Sequence, residues 1–204
     1  LQRTPKAGIS YSGRYELRCG RPGVRNVVRA PLTVGIGDLV MGFPFCINDT
    51  VLRRPAIFSV ELFDESYGNF SEDLDINCRL ALAGWQFGMI DRCLSYRRFH
   101  PGRLIRNPRQ RLDAALRSLD QTFVDPRTPP EVQALKDRAY TNHLVVWGVE
   151  ALRSGDTAMG VDILRQAAKL EPELIKGNPC RLSNYFVYEA AHDDTTDLDE
   201  VYND

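Results

Sequence analysis

Apolar and polar positions along this chain fall into patterns that name most of its elements. Alternation over AGISYS and RYELRC, residues 7–19, predicts two short strands broken at Gly13. Residues 20–38 are rich in Arg, Gly and Pro with little periodicity, which predicts a mobile surface loop. The apolar runs LVMGFPFCI and AIFSV, within 39–60, suit strands or short buried segments, with Gly42 and Pro44 marking an irregular backbone. In FDESYGNFSEDLDINCRLALAGW, Phe63 to Trp85, the residues Leu74, Cys78, Ala81, Leu82 and Trp85 recur at helical spacing and define one buried face. Asn69 or Ser71 can cap that helix and Gly84 can end it. Asp75 and Arg79, four apart, can pair on its surface. A strand pair follows around FGMI and CLSYRRFH, with Leu94, Tyr96, Arg98 and His100 alternating onto one face.

From Pro101 the pattern turns helical, over 108–124 and 130–152. Tyr140, Leu144, Trp147, Gly148, Ala151 and Leu152 form one helical stripe, and Ile163, Leu164, Ala167, Ala168 and Leu170 form the next. Gly155-Asp156 turns the chain between them, and Pro172 stops the second. This helix-turn-helix resembles one tetratricopeptide-like unit, a kind of repeat that needs neighbours to bury its faces. The end, AHDDTTDLDEVYND, residues 191–204, is acidic and poor in apolar residues, and is expected to fray.

Composition narrows the class. A chain of 204 residues, 43% hydrophobic and 26% charged, is enough for one large domain or a domain with an appendage. A net charge of -1 gives no ground for nucleic acid or an anionic membrane, and aromatics do not interleave with the Arg-rich segments as base stacking would require. The five cysteines, Cys19, Cys46, Cys78, Cys93 and Cys180, are scattered and never in a CxxC pair. They read as reduced thiols in a cytoplasmic protein rather than a disulfide framework or zinc site, and the expected location is the cytoplasm, at most peripheral to the membrane. No apolar run approaches the roughly 20 residues of a membrane span. The sequons at Asn48 and Asn69 are read as accidental in such a chain. The chain opens at Leu1 and reaches a strand pattern at once, so it is expected to be a piece of something longer.

The chemistry concentrates before the first long helix, where Asp64, Glu65, Glu72, Asp73 and Asp75 crowd together. Acids in a helix's first turn complement its dipole, and Asn69 with Glu72 has capping-box spacing. A carboxylate there can also take a proton from a sugar hydroxyl as that oxygen attacks an electrophile. It must face away from the Leu74 side, which leaves Asp73 and Glu72. Further on, His100 shares a strand face with Arg98. An imidazole nitrogen for a metal and a guanidinium fork for a phosphate suit a metal-bound diphosphate.

FDESYGNFSEDLDINCRLALAGW followed by CLSYRRFHPGRLIRN resembles the C-terminal half of the catalytic domain in family-two GT-A glycosyltransferases. Those enzymes carry an FDE turn, an acidic motif opening an Arg-containing helix, and a Tyr-Arg-x-His strand end. KAGISYSGRYEL and MGFPFCINDTVLRRPAIFS resemble the preceding strand and the glycine-containing stretch, so the likeness runs in order over residues 1–107. It implies a partial GT-A-like mixed α/β sheet over 1–107, followed by a helical extension at 108–190. Asp73 would be the general base, with Glu72 beside it. His100 would ligate a divalent metal, Mg2+ or Mn2+, and Arg98 would stand near the phosphates. Gly42 would lie near donor or acceptor sugar. Asp64 and Glu65 match the FDE turn, mainly structural but open to acceptor contact.

The sequence departs from the pattern in three places. Tyr96-Arg97-Arg98-Phe99-His100 has one residue more than Tyr-Arg-x-His, leaving open which arginine acts. Glu61-Leu62 replaces the family's usual paired glycine before FDE. The nucleotide-binding half, with its Asp-x-Asp motif, is not in this chain, so the chain alone is expected to bind nucleotide sugar poorly and turn over little. The implied reaction is inverting single displacement from a nucleotide-sugar donor to a hydroxyl of a glycan or other acceptor, as in polysaccharide biosynthesis. The basic residues Arg103, Arg106, Arg109 and Arg111 could hold an anionic acceptor, but a solvated helical face is the preferred reading. The alternative is a non-catalytic module that docks a protein partner through its C-terminal helices, marked by a contiguous apolar patch on 130–170.

Overall fold

A computed structural model describes residues 5–18, 24–29, 31–42, 45–68, 70–99 and 107–173. Over these the chain is α/β, with a mixed sheet of four strands and seven α-helices. Strand β1 (Ala7–Arg18) is the hub. It pairs antiparallel with β2 (Val24–Val28) and β3 (Thr50–Leu52) along one edge. Along the other it pairs in parallel with β4 (Gln86–Phe99).

Two strand expectations change. β1 is continuous rather than broken at Gly13, and β4 is one strand rather than two. The β1–β4 register slips between Ser12, Gly13 and Arg14, opposite Ile90 to Ser95. A bulge re-aims side chains while the ladder continues. Below the slip, Tyr11 stacks on Phe45 in the core at 4.7 Å. Above it, Arg14 is buried near Cys46 and pairs with Asp49 at 3.3 Å. A local turn signal in the sequence is thus a bulge in the fold. Residues 20–38 also hold more structure than expected, because the β-branched run VRNVV supplies β2.

Between β2 and β3 lies α1 (Ile36–Met41), and after β3 comes α2 (Arg54–Ser59). AIFSV therefore contributes to a short helix, with Pro55 in its first turn. The helix expected after the acids is α3 (Glu72–Leu82). It ends as predicted at Gly84, φ +81°. Trp85 N–H donates to Leu80 O at 3.1 Å and Gly84 N–H to Ala81 O at 3.0 Å, the paired bonds of a Schellman stop. Asp75 and Arg79 do pair, but under cover. Asp75 is buried, and the Arg79 guanidinium also donates to the carbonyls of Val60 and Leu62. The pair ties α3 to the turn before it.

The helical region comprises α4 (Pro108–Val124), α5 (Pro130–Gln133), α6 (Lys136–Arg153) and α7 (Thr157–Leu170). The predicted 130–152 helix is split between α5 and α6. Asp156 caps α7 by accepting from Met159 N–H at 3.0 Å. The α6–α7 crossing is close: a Cβ on Gly160 would stand 2.6 Å from Leu152 and 2.9 Å from Gly148 O. This region does not have a core of its own throughout. Leu119, Phe123, Val132 and Ala139 share one buried cluster with Ile9, Tyr11, Leu39, Leu74 and Cys78, across the 107/108 boundary. Asn142 donates to Met41 O at 3.0 Å, and His143 Nε2 lies 3.2 Å from Val40 O. Burial pushes the His143 imidazole down to about 4, so it is neutral and Nε2–H is the donor. No helix among the described residues is long and apolar enough to cross a membrane.

Candidate functional site

Topology places the acids. β1 and β4 run in parallel, so their C-terminal ends share one edge of the sheet, the edge where ligands bind in open α/β sheets. Helix α3 leads directly back into β4, so its N-terminus lies toward that edge. Ser71 precedes it in the left-handed region, φ +57°. Its hydroxyl donates to Arg111 O at 3.4 Å instead of capping α3. Asn69, the other expected cap, lies outside the described residues.

Asp73 is half-buried in the first turn, and its Oδ1 accepts from Leu74 N–H at 2.9 Å. Burial, then the neighbouring Glu72 charge, pushes its carboxyl up to about 6, against the pull of the Leu74 amide and Arg111. Cys46 also faces Asp73. Burial pushes that thiol up, against the pull of Arg97 and Arg14. The Arg97 guanidinium donates to Cys46 Sγ at 3.5 Å.

Beneath this group lies a buried polar layer on the strand ends. Arg14 donates to Glu16 at 3.1 Å and to Asp49 at 3.3 Å. Asp49 also accepts from Ser95 Oγ and Cys46 N–H. Arg14, Glu16 and Asp49 are all buried. Asn77, one turn below Asp73 on α3, is buried with no hydrogen bond to Oδ1. Buried polar groups are costly unless paired, so this layer is an expensive floor, joined through Asp49 to the Cys46 N–H.

The helical region supplies the roof. Arg111 of α4 lies over the rings of Phe70 and Trp147, at 5.4 and 5.6 Å. Burial pulls its guanidinium down, while Glu72, Asp73 and Glu150 push it back up and Arg97 opposes them. The Trp147 indole N–H is buried and makes no hydrogen bond.

The other expected residues are placed differently. Arg98 is exposed on the opposite face of β4, next to exposed Tyr96. Arg97 is the β4 arginine brought to Asp73's side. Glu72 is half-buried beside Asp73. Gly42 follows α1, and a Cβ there would meet open space, so nothing among the described residues demands glycine. Asp64 caps the short turn Glu65–Tyr67 by accepting from Ser66 N–H at 2.9 Å, and it pairs with Arg117 at 3.1 Å. The Ser66 bonds and Arg117 hold its carboxyl below the usual range. Glu65 is exposed. Asp64 and Asp75 line a polar cavity of about 560 Å³ on the far side of α3. Its guanidiniums, Arg79 and Arg127, are committed to Asp75 and Asp125. His100 lies outside the described residues, as do Arg103 and Arg106. No three His, Cys, Asp or Glu side chains gather as a metal site among the described residues.

Sequence reasoning passed over Arg14, Glu16, Asp49, Cys46 and Trp147. The one available signal was the polar run of alternate residues on β1, which is ordinarily a solvated face. No protein-family model, curated protein or solved structure matches this chain.

Proposed function

We propose that this chain is the acceptor-side part of an inverting GT-A-type glycosyltransferase, with Asp73 as the base that deprotonates the acceptor hydroxyl. The observation that carries the reading is Asp73 itself: a half-buried carboxyl at the carboxyl edge of parallel strands, pushed up to about 6. A base works best when its pKa lies near the operating pH. At pH 7 such a group is still mostly ionised, yet about a hundredfold more basic than an ordinary aspartate.

In the proposed reaction the acceptor oxygen attacks the anomeric carbon of a nucleotide sugar, and the bond to the leaving diphosphate breaks with inversion. Asp73 takes the hydroxyl proton. Arg97, rather than Arg98, is the β4 guanidinium on that side of the sheet. A second feature supports the reading. Glu61 and Leu62 stand where the family usually has paired glycine, and both hold left-handed backbone, φ +63° and +66°, which glycine adopts without strain.

The docking alternative is less favoured, because Leu170 is the only exposed large apolar side chain among the described residues of 130–170. The test is calorimetric binding of a nucleotide-sugar panel with Mn2+, on the chain and on its complete gene product, with transfer assayed for the latter. Asp73→Asn is expected to keep binding and lose transfer by about 10²–10⁴-fold. Full transfer by Asp73→Asn, or no binding and no transfer by the complete product, overturns the proposal.

A further inference from the structure

A second cavity, of about 420 Å³, opens between the start of α1, the end of α3 and the first residues of β4. It lies at the opposite end of α3 from Asp73. Trp85, Phe87, Val34 and Ile36 give it apolar walls, and Thr33 and Gln86 add an exposed hydroxyl and an exposed amide. None of its lining residues is charged, in a chain that is 26% charged. The indole of Trp85 is held in place from behind. Its N–H donates to Ser59 Oγ at 2.9 Å, and that hydroxyl donates in turn to Ala56 O at 2.7 Å. On the strand side Trp85 lies against bare backbone: a Cβ on Gly8 would stand 2.8 Å from Trp85 Cβ and 2.9 Å from its Cγ. So held, the half-buried residue contributes its remaining surface to the cavity.

We infer that this cavity binds a neutral saccharide, with Trp85 as the platform for one sugar ring. The C–H face of a pyranose is apolar and suits a flat indole, while its rim of hydroxyls needs a few placed polar groups. An amide and a hydroxyl each donate and accept, so Gln86 and Thr33 can meet sugar hydroxyls of either sense. A phosphate or carboxylate would find no counter-charge on the walls. A wholly apolar ligand would gain nothing from the amide and the hydroxyl. The cavity falls within the usual size range of small-ligand sites. It uses none of the residues around Asp73, so the inference stands whether or not Asp73 is a base. In a chain that does transfer sugar, it would hold glycan away from the reacting carbon.

The chain has two tryptophans, so a proton–nitrogen NMR spectrum holds two indole N–H signals. Buried Trp147 is the internal comparison. Trp85→Phe assigns the pair by the signal it loses, and Trp147→Phe does so should the first fail to fold. The probes are methyl glycosides of glucose, galactose, mannose and N-acetylglucosamine, with cyclohexanol and inorganic phosphate as apolar and anionic counterparts. A single sugar ring binds in the millimolar range, so at least one glycoside is expected to move the Trp85 signal saturably below about 50 mM while Trp147 stays. Thr33→Ala and Gln86→Ala, both at exposed positions, should each weaken that binding about 3–10-fold. No movement of Trp85 with any glycoside overturns the inference. So does a movement that both substitutions leave unchanged, or one matched by cyclohexanol or phosphate. Movement of Trp147 alone would put the sugar at the Asp73 group and overturn it too. Transfer is not measured, so failure of the glycosyltransferase reading would leave this site standing, and failure here would leave that reading untouched.

Discussion

Replacing Asp73 with Asn should stabilise the protein at alkaline pH and leave it unchanged at acid pH. The folded carboxyl is pushed from 3.8 to about 6, so the fold binds the Asp73 proton more tightly than the unfolded chain does. Between those values the native state carries more protons, and stability falls as pH rises. Above 6 the fold bears the full cost of an ionised, partly desolvated carboxylate. About two pKa units at about 1.4 kcal/mol each give an upper bound of about 3 kcal/mol. The side chain keeps some contact with solvent, so about 1–3 kcal/mol is expected. Asn removes the charge and its repulsion with Glu72, and its Oδ1 can still accept from Leu74 N–H. In a chain of this size each kcal/mol moves Tm by about 2–4 °C, so Asp73→Asn should melt about 2–12 °C higher at pH 8. The gain should vanish near pH 4, where wild-type Asp73 is protonated in the fold. Thermal unfolding followed by circular dichroism from pH 4 to 8, always as the difference from wild type, isolates this group. A difference that does not change with pH, or a variant less stable at pH 8, would refute the placement of Asp73 in a desolvated acidic corner.

Three further outcomes test the surrounding fold. Asp75→Asn should have the opposite sign, losing about 2–3 kcal/mol at pH 7 in urea unfolding; it breaks the covered pair with Arg79, and the low end of the usual range applies because Arg79 keeps two carbonyls. Leu62→Gly should raise Tm slightly, by up to about 1 kcal/mol of stability, because relief of left-handed backbone (about 1–2 kcal/mol) outweighs glycine's added entropy cost. Gly160→Ala should destabilise by about 1–2 kcal/mol despite better helix propensity, since its Cβ would press on Leu152 and on the fixed carbonyl of Gly148; a stable variant in thermal melts would show that the α6–α7 crossing is looser than described.

Elements long enough to show their period were legible in the sequence, and those set by neighbours were not. Leu74, Cys78 and Ala81 repeat over about two turns of α3, and Gly84 ends it by local geometry alone. By contrast α1 buries only Leu39 and Val40, and α2 only Ala56. Six residues contain too little of the period to separate a short helix from a strand. The sequence pattern divides β1 and β4 into two pieces each, because a bulge and a break carry the same local signal and only the pairing across strands distinguishes them.

The site divides along the same line. Asp73 was legible because its role depends on a helix start, and a helix start is local. Its setting is not local. Arg14 and Glu16 alternate along β1 as a solvated face would, yet both are buried, with Arg14 paired to Glu16 and to Asp49 of segment 45–49. Arg97 and Arg98 are neighbours of the same type, and the parity of β4 alone sends one toward Asp73 and the other into solvent. Arg109 and Arg111 repeat that choice on a helix. In each pair composition is silent and direction decides, so the charges that tune a site are read from the sequence only after the faces are known. Asp73 needs all of them at once: a floor from β1 and β4, a wall from α3 and a roof from α4 and α6. One core spans residue 107, with Leu119, Phe123, Val132 and Ala139 packed beside Leu39, Leu74 and Cys78, so these walls belong to one packed body.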